Sequence, residues 1–180
     1  MKQNYLRRNF LKNSLIASSG LMLFPSKVRP SISTMQFESG VLHVKDIRKK
    51  LFGKQIEISG QIFDDTGKNI LRGVLIEFWH LSPDSKKLGH KGSLITDENG
   101  CYHILTDYPN REFGKHTTVH FKLSTGARST LTELKFSGFG AYITDKHWES
   151  NRNLEDSLLF PKMEKLFYKT KINFNISINQ

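Results

Sequence analysis

Residues 73–80 read Gly73-Val74-Leu75-Ile76-Glu77-Phe78-Trp79-His80, and an aromatic and β-branched run of this kind is typical of a β-strand. Just upstream, Ile56, Ile58 and Ile62 alternate with polar residues, as happens when a strand buries one face. Asp64-Asp65-Thr66-Gly67 separates the two segments and has the composition of a turn. The centre of the chain is therefore predicted to be β-structure.

Further strands are predicted on both sides of this centre by the same kind of pattern; they cover 101–105, 117–124, 130–136 and an alternating segment, 172–178. The result is an all-β chain of six or seven short strands in one antiparallel β-sandwich, with one face of each strand in the core. Residues 154–160 predict one or two helical turns that end before Pro161. The rest of 141–170 has no clear pattern.

The first residues predict an export leader. Arg7-Arg8-Asn9-Phe10-Leu11-Lys12 matches the twin-arginine motif R-R-x-F-L-K, and the apolar run after it is too short and interrupted to span a membrane. We expect a twin-arginine-type signal peptide over 1–27, recognised by the twin-arginine export machinery, and a periplasmic or extracellular protein without a stable transmembrane helix after processing. The alternative is an uncleaved amphipathic anchor. Residues 28–53 are then a linker with a first short strand, and 54–180 form the sandwich.

The charge of the chain is concentrated near its start. The 180 residues carry a net charge of +10, from 27 bases and 17 acids, and six of the bases precede the first acid, Glu38. The remaining balance of 21 bases to 17 acids is ordinary, and no nucleic-acid-binding motif is present, so no nucleic-acid partner is predicted. The single cysteine excludes an intramolecular disulfide framework and a cysteine-rich zinc site.

Four ordered motifs resemble the intradiol ring-cleavage dioxygenases, the family of catechol and protocatechuate dioxygenases. Residues 59–80 resemble the family's G-x-V-x-D-x-x-G-x-P-I-x-G-A-x-V-E-I-W-(Q/H), and Thr96-Asp97-Glu98-Asn99-Gly100-Cys101-Tyr102 resembles T-D-E-x-G-x-Y. Thr118-Val119-His120-Phe121 stands at the place of H-I-H-F, and 131–136 resembles L-T-T-Q-L-Y-F. The resemblance covers about residues 54–138. It implies a sandwich of the prealbumin/transthyretin-like type.

The resemblance also implies non-haem ferric iron, held in the family by two tyrosinates and two histidines. His120 matches the second histidine, whereas Thr118 occupies the place of the first. No tyrosine occurs over 81–99, and Glu112 or Phe113 stands where the second tyrosine is expected. Three of the four expected ligands are thus not found, which makes iron doubtful here. Lys115 replaces the family's arginine and is the candidate catalytic residue.

A rearranged metal site is the other reading of these residues. His116 and His120 share a face of their strand, but their Cα atoms would be about 13 Å apart in an extended strand unless a bulge intervenes. The further candidate ligands are His90 and Tyr108, and the candidate substrate contacts are Trp79, His80 and Glu112. Against a ligand role, the lysine-rich surroundings of His90 favour a solvated side chain.

Three functions remain open from the sequence. The first is an exported intradiol dioxygenase-like enzyme acting on catechol-type aromatic compounds. The second is a non-catalytic secreted β-sandwich that has lost the iron site and binds an aromatic molecule, a glycan or a protein. The third is a regulatory module of an envelope assembly. In each case Tyr142, His147 and Trp148 either cover the cleft near His120 or pack on the sandwich, and the oligomeric state is not predicted.

Overall fold

The computed structural model describes residues 44–126 and 128–178. The predicted signal peptide over 1–27 and its export motif therefore lie outside the described residues. Most of the described chain is strand, in two facing sheets, which confirms the all-β prediction. Within these residues, no helix is long and apolar enough to cross a membrane.

The first sheet has the order β1-β5-β2-β10-β9, with β11 also paired to β2. Its strands are β1 (Val44–Asp46), β2 (Gln55–Asp64), β5 (Cys101–Asp107), β9 (Lys162–Lys165), β10 (Lys169–Asn173) and β11 (Ile176–Ile178). The second sheet has the order β4-β3-β6-β7-β8. Its strands are β3 (Leu75–His80), β4 (His90–Ile95), β6 (Thr117–Thr125), β7 (Arg128–Phe136) and β8 (Ala141–Ile143).

The core forms between the sheets because each strand alternates as the sequence does. Ile56 and Ile58 of β2 face Phe78 of β3 and Phe121 of β6, and all four side chains are at most 1% exposed. Each such burial is worth roughly 1.5–3 kcal/mol of transfer free energy. Alternation also fixes the outer face of the second sheet, because residues next to the buried ones in β6 and β7 must point away from the core.

The prediction of six or seven antiparallel strands was wrong in two respects. Eleven strands are described, and three pairs are parallel: β1 with β5, β10 with β2, and β11 with β2. The lysine-rich stretch thought to be a loop ends in β4, which pairs with β3 from His90 to Ile95. Its burial alternates only weakly, and the short β1, β8 and β9 offer too few residues for a period to show.

The segment 172–178 is also not one amphipathic strand. It breaks between β10 and β11, and Asn175 and Ser177, predicted to face water, are buried. The Asn175 carboxamide oxygen accepts from the Gln61 backbone at 3.0 Å, and the Ser177 hydroxyl donates to the Ser150 carbonyl at 3.1 Å. These bonds give both polar side chains partners inside the protein. The hydrophobic period alone therefore wrongly predicted that Asn175 and Ser177 face water.

Two short helices cover this edge of the sandwich. Helix α1 (Asp145–Asn151) begins at Thr144, whose hydroxyl accepts from the His147 backbone at 3.1 Å, which is an ordinary N-cap. Helix α2 (Asp156–Leu159) ends before Pro161 and agrees with the predicted helical turn. Helix α1 was not predicted.

The strand register defines two ends of the sandwich. At the cleft end lie the connections 47–54, 81–89, 108–116, 137–140 and 166–168. At the turn end lie the connections 65–74 and 96–100 and the β6–β7 hairpin. The cleft end carries the motif residues that the sequence singled out around His120.

Candidate functional site

A cleft of about 700 Å³ lies over the outer face of the second sheet at the cleft end. Its floor is formed by β6 and β7, and its walls by two connections, 81–89 and 108–116. The lining residues are Leu81, Lys86, Leu88, Asn110, Arg111, Glu112, Gly114, Lys115, His116, Thr118, His120, Glu133 and Lys135. The volume is in the range of pockets that hold small organic molecules.

His120 lies on the floor of this cleft. Its strand position is outward because Val119 and Phe121 on either side are fully buried. Its Nδ1 is 3.2 Å from a carboxylate oxygen of Glu133, the residue paired with it across β6 and β7. Trp79 of β3 stacks on the imidazole with ring centroids 5.6 Å apart. The ring is thus held by two neighbours and remains partly accessible.

The cleft has more positive than negative charge. Its acids are both paired: Glu112 with Lys115, and Glu133 with His120 and, at 3.6 Å, with Lys135. The hydrogen bond from Lys115 lowers the pKa of Glu112, and the same contact raises the pKa of Lys115. Both groups are therefore charged at neutral pH.

Two cations of the cleft lack such a partner. Over residues 44–126 and 128–178, no carboxylate lies within 4.0 Å of Lys86 or Arg111. Lys86 is attracted to Glu112 only at longer range, so both cations can attract a ligand that brings an anion. Arg111 also offers a planar fork that suits a carboxylate or phenolate oxygen.

Five residues that the sequence analysis discussed for the site come together in this cleft. Glu112 and Lys115 line its wall, and His116, Thr118 and His120 follow one another along β6 or its approach. His116 is exposed and packs its ring against Tyr142 at 5.4 Å. The structure thus brings these residues to one cleft, and their roles stay predictions.

His80, His90 and Tyr108 do not reach the cleft, which corrects their candidate roles. His80 is fully buried because it follows the inward alternation of β3, and His90 is 3% exposed rather than solvated. Tyr108 packs edge-on against Phe136 of the core at 5.5 Å, and burial raises its pKa. The two buried imidazoles and the partly buried phenol of Tyr108 pack toward the core and do not line the cleft on the outer face.

The two buried histidines belong to a polar network that the sequence did not reveal. His80 bonds to the Leu81 carbonyl at 2.8 Å and to the Thr106 hydroxyl at 2.9 Å. His90 bonds to the Asp107 carboxylate at 2.9 Å and stacks on His80 at 4.9 Å. Thr106 and Asp107 continue a strand predicted only to residue 105, so no sequence signal paired them with the histidines.

Asp107 is the hub of this network. Burial alone would raise its pKa, but bonds from the Lys49 backbone at 2.8 Å and from His90 outweigh that effect and lower the pKa. The second ring nitrogen of His90 bonds to Ser82 at 3.1 Å. The network therefore ties the connections 47–54 and 81–89 to β5 and holds one wall of the cleft in place.

The helical segment does not cover the cleft. His147 is buried against Phe174 at 4.7 Å, with Nδ1 bonded to the Thr132 hydroxyl at 2.7 Å. Burial lowers its pKa to about 4. Trp148 is half exposed, and neither residue lines the cleft. Of the two alternatives for this segment, packing on the sandwich is the one observed.

Comparison with known proteins bears on the resemblance. No family model matches the chain. It is 28% identical over 119 residues to a chlorocatechol 1,2-dioxygenase of Pseudomonas putida, a match that covers 51% of this chain and 45% of that protein. The chain thus spans about half the length of this curated relative.

Solved structures extend the comparison to the fold. The dioxygenase domain of a dioxygenase–carbohydrate-binding protein fusion from Streptomyces sp. SirexAA-E aligns with a TM-score of 0.54 and 18% identity, covering 88% of this chain and 96% of that one. An intradiol ring-cleavage dioxygenase from Tetranychus urticae aligns with a TM-score of 0.56 and 11% identity, over 75% and 85%. The fold is that of the intradiol ring-cleavage dioxygenases. The resemblance found in the sequence is thereby confirmed.

The residues present do not fit the ferric iron that intradiol dioxygenases imply. Among the described residues, no group of three or more His, Cys, Asp or Glu side chains is placed to hold a metal ion. The cleft contributes one strand histidine whose Nδ1 already faces Glu133, and no tyrosine lines it. Phe113, at the place of the second tyrosine, is 98% exposed. Ferric iron favours phenolate oxygen, which this donor set lacks.

Proposed function

We propose that this chain is an intradiol-dioxygenase-like protein whose cleft binds catechol-type aromatic compounds in anionic form, without the family's two-tyrosinate iron centre. The observation that carries the proposal is the cleft over His120 with its two unpaired cations, Lys86 and Arg111. It rests also on the sequence similarity to a chlorocatechol 1,2-dioxygenase.

The walls of the cleft suit a flat ring with an acidic edge. Leu81 and Leu88 supply apolar surface, and the His120 ring supplies an aromatic one. Arg111 and Lys86 would neutralise a carboxylate or phenolate, while Lys115 is engaged by Glu112. A few charged groups set against apolar walls give a binding site its orientation and selectivity.

A second candidate is the classical enzyme, favoured by the match to a ring-cleaving dioxygenase. It requires an iron ligand set that the described residues do not supply. We therefore assign it second place, and the experiment below separates the two. We also infer export from residues 7–12, a periplasmic or extracellular location, and a sandwich of the prealbumin/transthyretin-like type; the twin-arginine motif and the two-sheet fold support these proposals.

The test is calorimetric titration of the full chain, treated with a chelator, with catechol and with 3,4-dihydroxybenzoate. We expect saturable binding that is tighter for the carboxylated compound. Arg111→Ala should weaken that binding by about tenfold, the cost of one charge-assisted contact. Arg72→Ala is the matched control, because Arg72 is an exposed arginine at the turn end and should leave the affinity unchanged.

Metal analysis of the purified chain completes the test. Stoichiometric iron together with ring-cleaved product from either compound would establish the classical enzyme and refute an iron-free site. Absence of saturable binding, or equal loss in both arginine variants, would refute the cleft as the binding site.

A further inference from the structure

The cleft end carries four phenylalanine side chains in full contact with water. Phe52 is 88% exposed, Phe113 98%, Phe139 97% and Phe167 102%, and each belongs to a different connection. A single exposed hydrophobic residue needs no explanation, but four large ones at one end of a small domain indicate a surface that meets an apolar phase or a partner.

Hydrogen bonds bring these four connections together. The Tyr108 backbone N–H donates to the Lys54 carbonyl at 2.9 Å, which joins the first two of the phenylalanine connections. The ammonium of Lys165, the last residue of β9 before the connection 166–168, donates to the Gly138 carbonyl and so brings the other two close. The connections 47–54 and 166–168 are neighbours, because Gln55 and Lys169 are partners across β2 and β10. The four phenylalanines thus belong to connections at the same end of the sandwich.

Positive charge accompanies them. The five connections of the cleft end contain eight Lys or Arg residues and two acids, Asp84 and Glu112, and Lys165 and Lys169 flank the last of them. The connections 65–74 and 96–100 of the turn end contain two bases and three acids. The basic excess of the described domain is therefore directed to the end that carries the aromatic tips.

These features favour a bilayer over a protein surface. A protein interface has a packed apolar centre, with few lysines, whereas here the phenylalanines belong to four separate connections, at an end whose five connections contain eight Lys or Arg residues. Long lysine side chains can hold their ammonium groups at lipid phosphates while neighbouring apolar groups enter the acyl boundary. Basic residues at a surface are attracted to anionic lipids.

We propose that the cleft end of this protein docks peripherally on an anionic lipid bilayer, with Phe52, Phe113, Phe139 and Phe167 inserted at the headgroup boundary and the surrounding lysines on lipid phosphates. The connection 108–116, which carries Phe113, is also a wall of the cleft, so docking would bring the cleft close to the membrane surface. This inference does not depend on what the cleft binds.

Flotation of the full chain with vesicles tests the proposal. We expect binding to vesicles of phosphatidylcholine mixed with anionic phosphatidylglycerol, weaker binding to phosphatidylcholine alone, and partial loss on adding salt. Replacing all four phenylalanines by serine should weaken binding by about tenfold or more. The control is Ile95→Ser combined with Leu131→Ser, because these side chains are 65% and 51% exposed and lie outside the cleft end.

A spectroscopic arm reports insertion directly. The only cysteine, Cys101, is replaced by serine, and Phe167→Cys is labelled with an environment-sensitive fluorophore; its emission should shift to the blue on anionic vesicles, whereas a label at Ile95→Cys should not respond. Circular dichroism melting confirms that each variant is folded.

Three results would overturn the proposal. The first is no binding to anionic vesicles. The second is equal binding by the four-serine variant, which would place the affinity in residues 1–43 or elsewhere. The third is a concentration-dependent self-association that the four serines abolish without any change in vesicle binding, which would assign the face to a second copy of the chain.

Discussion

The two ends of the sandwich differ in what their side chains contact. At the turn end, polar side chains bond to one another within the turn: the Asp64 carboxylate accepts from the Thr66 hydroxyl and the Asn69 carboxamide, both at 2.7 Å. At the cleft end, the connections carry four exposed phenylalanines, and some of its basic residues, such as Lys86 and Arg111, have no carboxylate within 4.0 Å among the described residues. Side chains at the turn end therefore stabilise the turns of the fold, whereas side chains at the cleft end are available for contacts with other molecules.

Glycine substitutions should show the largest difference between the ends. Gly100 at the turn end has φ +64°, and an added Cβ would lie 2.3 Å from Ile70 and 2.8 Å from the Leu71 carbonyl. Gly114 at the cleft end has φ +74° with open space around it. Gly100→Ala combines left-handed strain with overpacking and should cost about 2–5 kcal/mol, whereas Gly114→Ala should cost about 1–2 kcal/mol.

Urea unfolding of the two variants, followed by circular dichroism, measures this difference. Equal losses of unfolding free energy would show that the cleft-end connections are as tightly constrained as the turns, and the contrast between the ends would fail.

The turn end is also the part that the sequence predicted best. The turn composition of Asp64-Asp65-Thr66-Gly67 and the alternation of Ile56, Ile58 and Ile62 located β2 and the strand after it, because local conformational preferences and hydrophobic period act over few residues. A first short strand was predicted within 28–53, where β1 lies, but β8 and β9 were missed, since three or four residues carry no measurable period. Parallel pairing of β10 and β11 with β2 depends on chain topology, which no local pattern reports.

The site was predicted in outline only. Motif order located His120, His116, Glu112 and Lys115 in one region, and the cleft unites them. The same motifs could not exclude His80 and His90, because burial of those rings depends on Asp107 and Thr106, residues distant in sequence. The sequence itself showed that the expected tyrosines are absent, and among the described residues no group of three or more His, Cys, Asp or Glu side chains is placed to hold a metal ion.

Acid should destabilise the cleft end at higher pH than the turn end. Burial lowers the pKa of His80 from 6.5 to about 4. Between these two pH values, His80 is protonated in the unfolded chain but neutral in the folded chain. Stability is then complete above pH 6.5 and falls as the pH drops toward 4, by about 3 kcal/mol at most. In His80→Phe, we expect lower stability at neutral pH and a shallower fall over this window.

Calorimetric melting temperatures between pH 4 and 8 measure the effect. The slope that remains in the variant belongs to His147, whose pKa is also lowered to about 4 by burial. His116→Gln is the control, because that ring is exposed at the same end. An unchanged slope in His80→Phe would mean that His80, with His90 and Asp107 beside it, accepts a proton in the folded state.

The turn end should respond only in stronger acid. The hydrogen bonds from Thr66 and Asn69 lower the pKa of Asp64 from 3.8 to about 2, so its stabilising effect is present above about pH 4 and is lost as the pH falls toward 2. In Asp64→Asn, the melting temperature should fall at neutral pH, since an amide nitrogen would face the Asn69 donor, and should change less below pH 4. Asp65→Asn removes the same charge from the adjacent residue and should leave the acid dependence intact. If both variants flatten the curve equally, then net charge rather than the bonded turn controls acid stability at this end, and the two ends differ less than their geometry indicates.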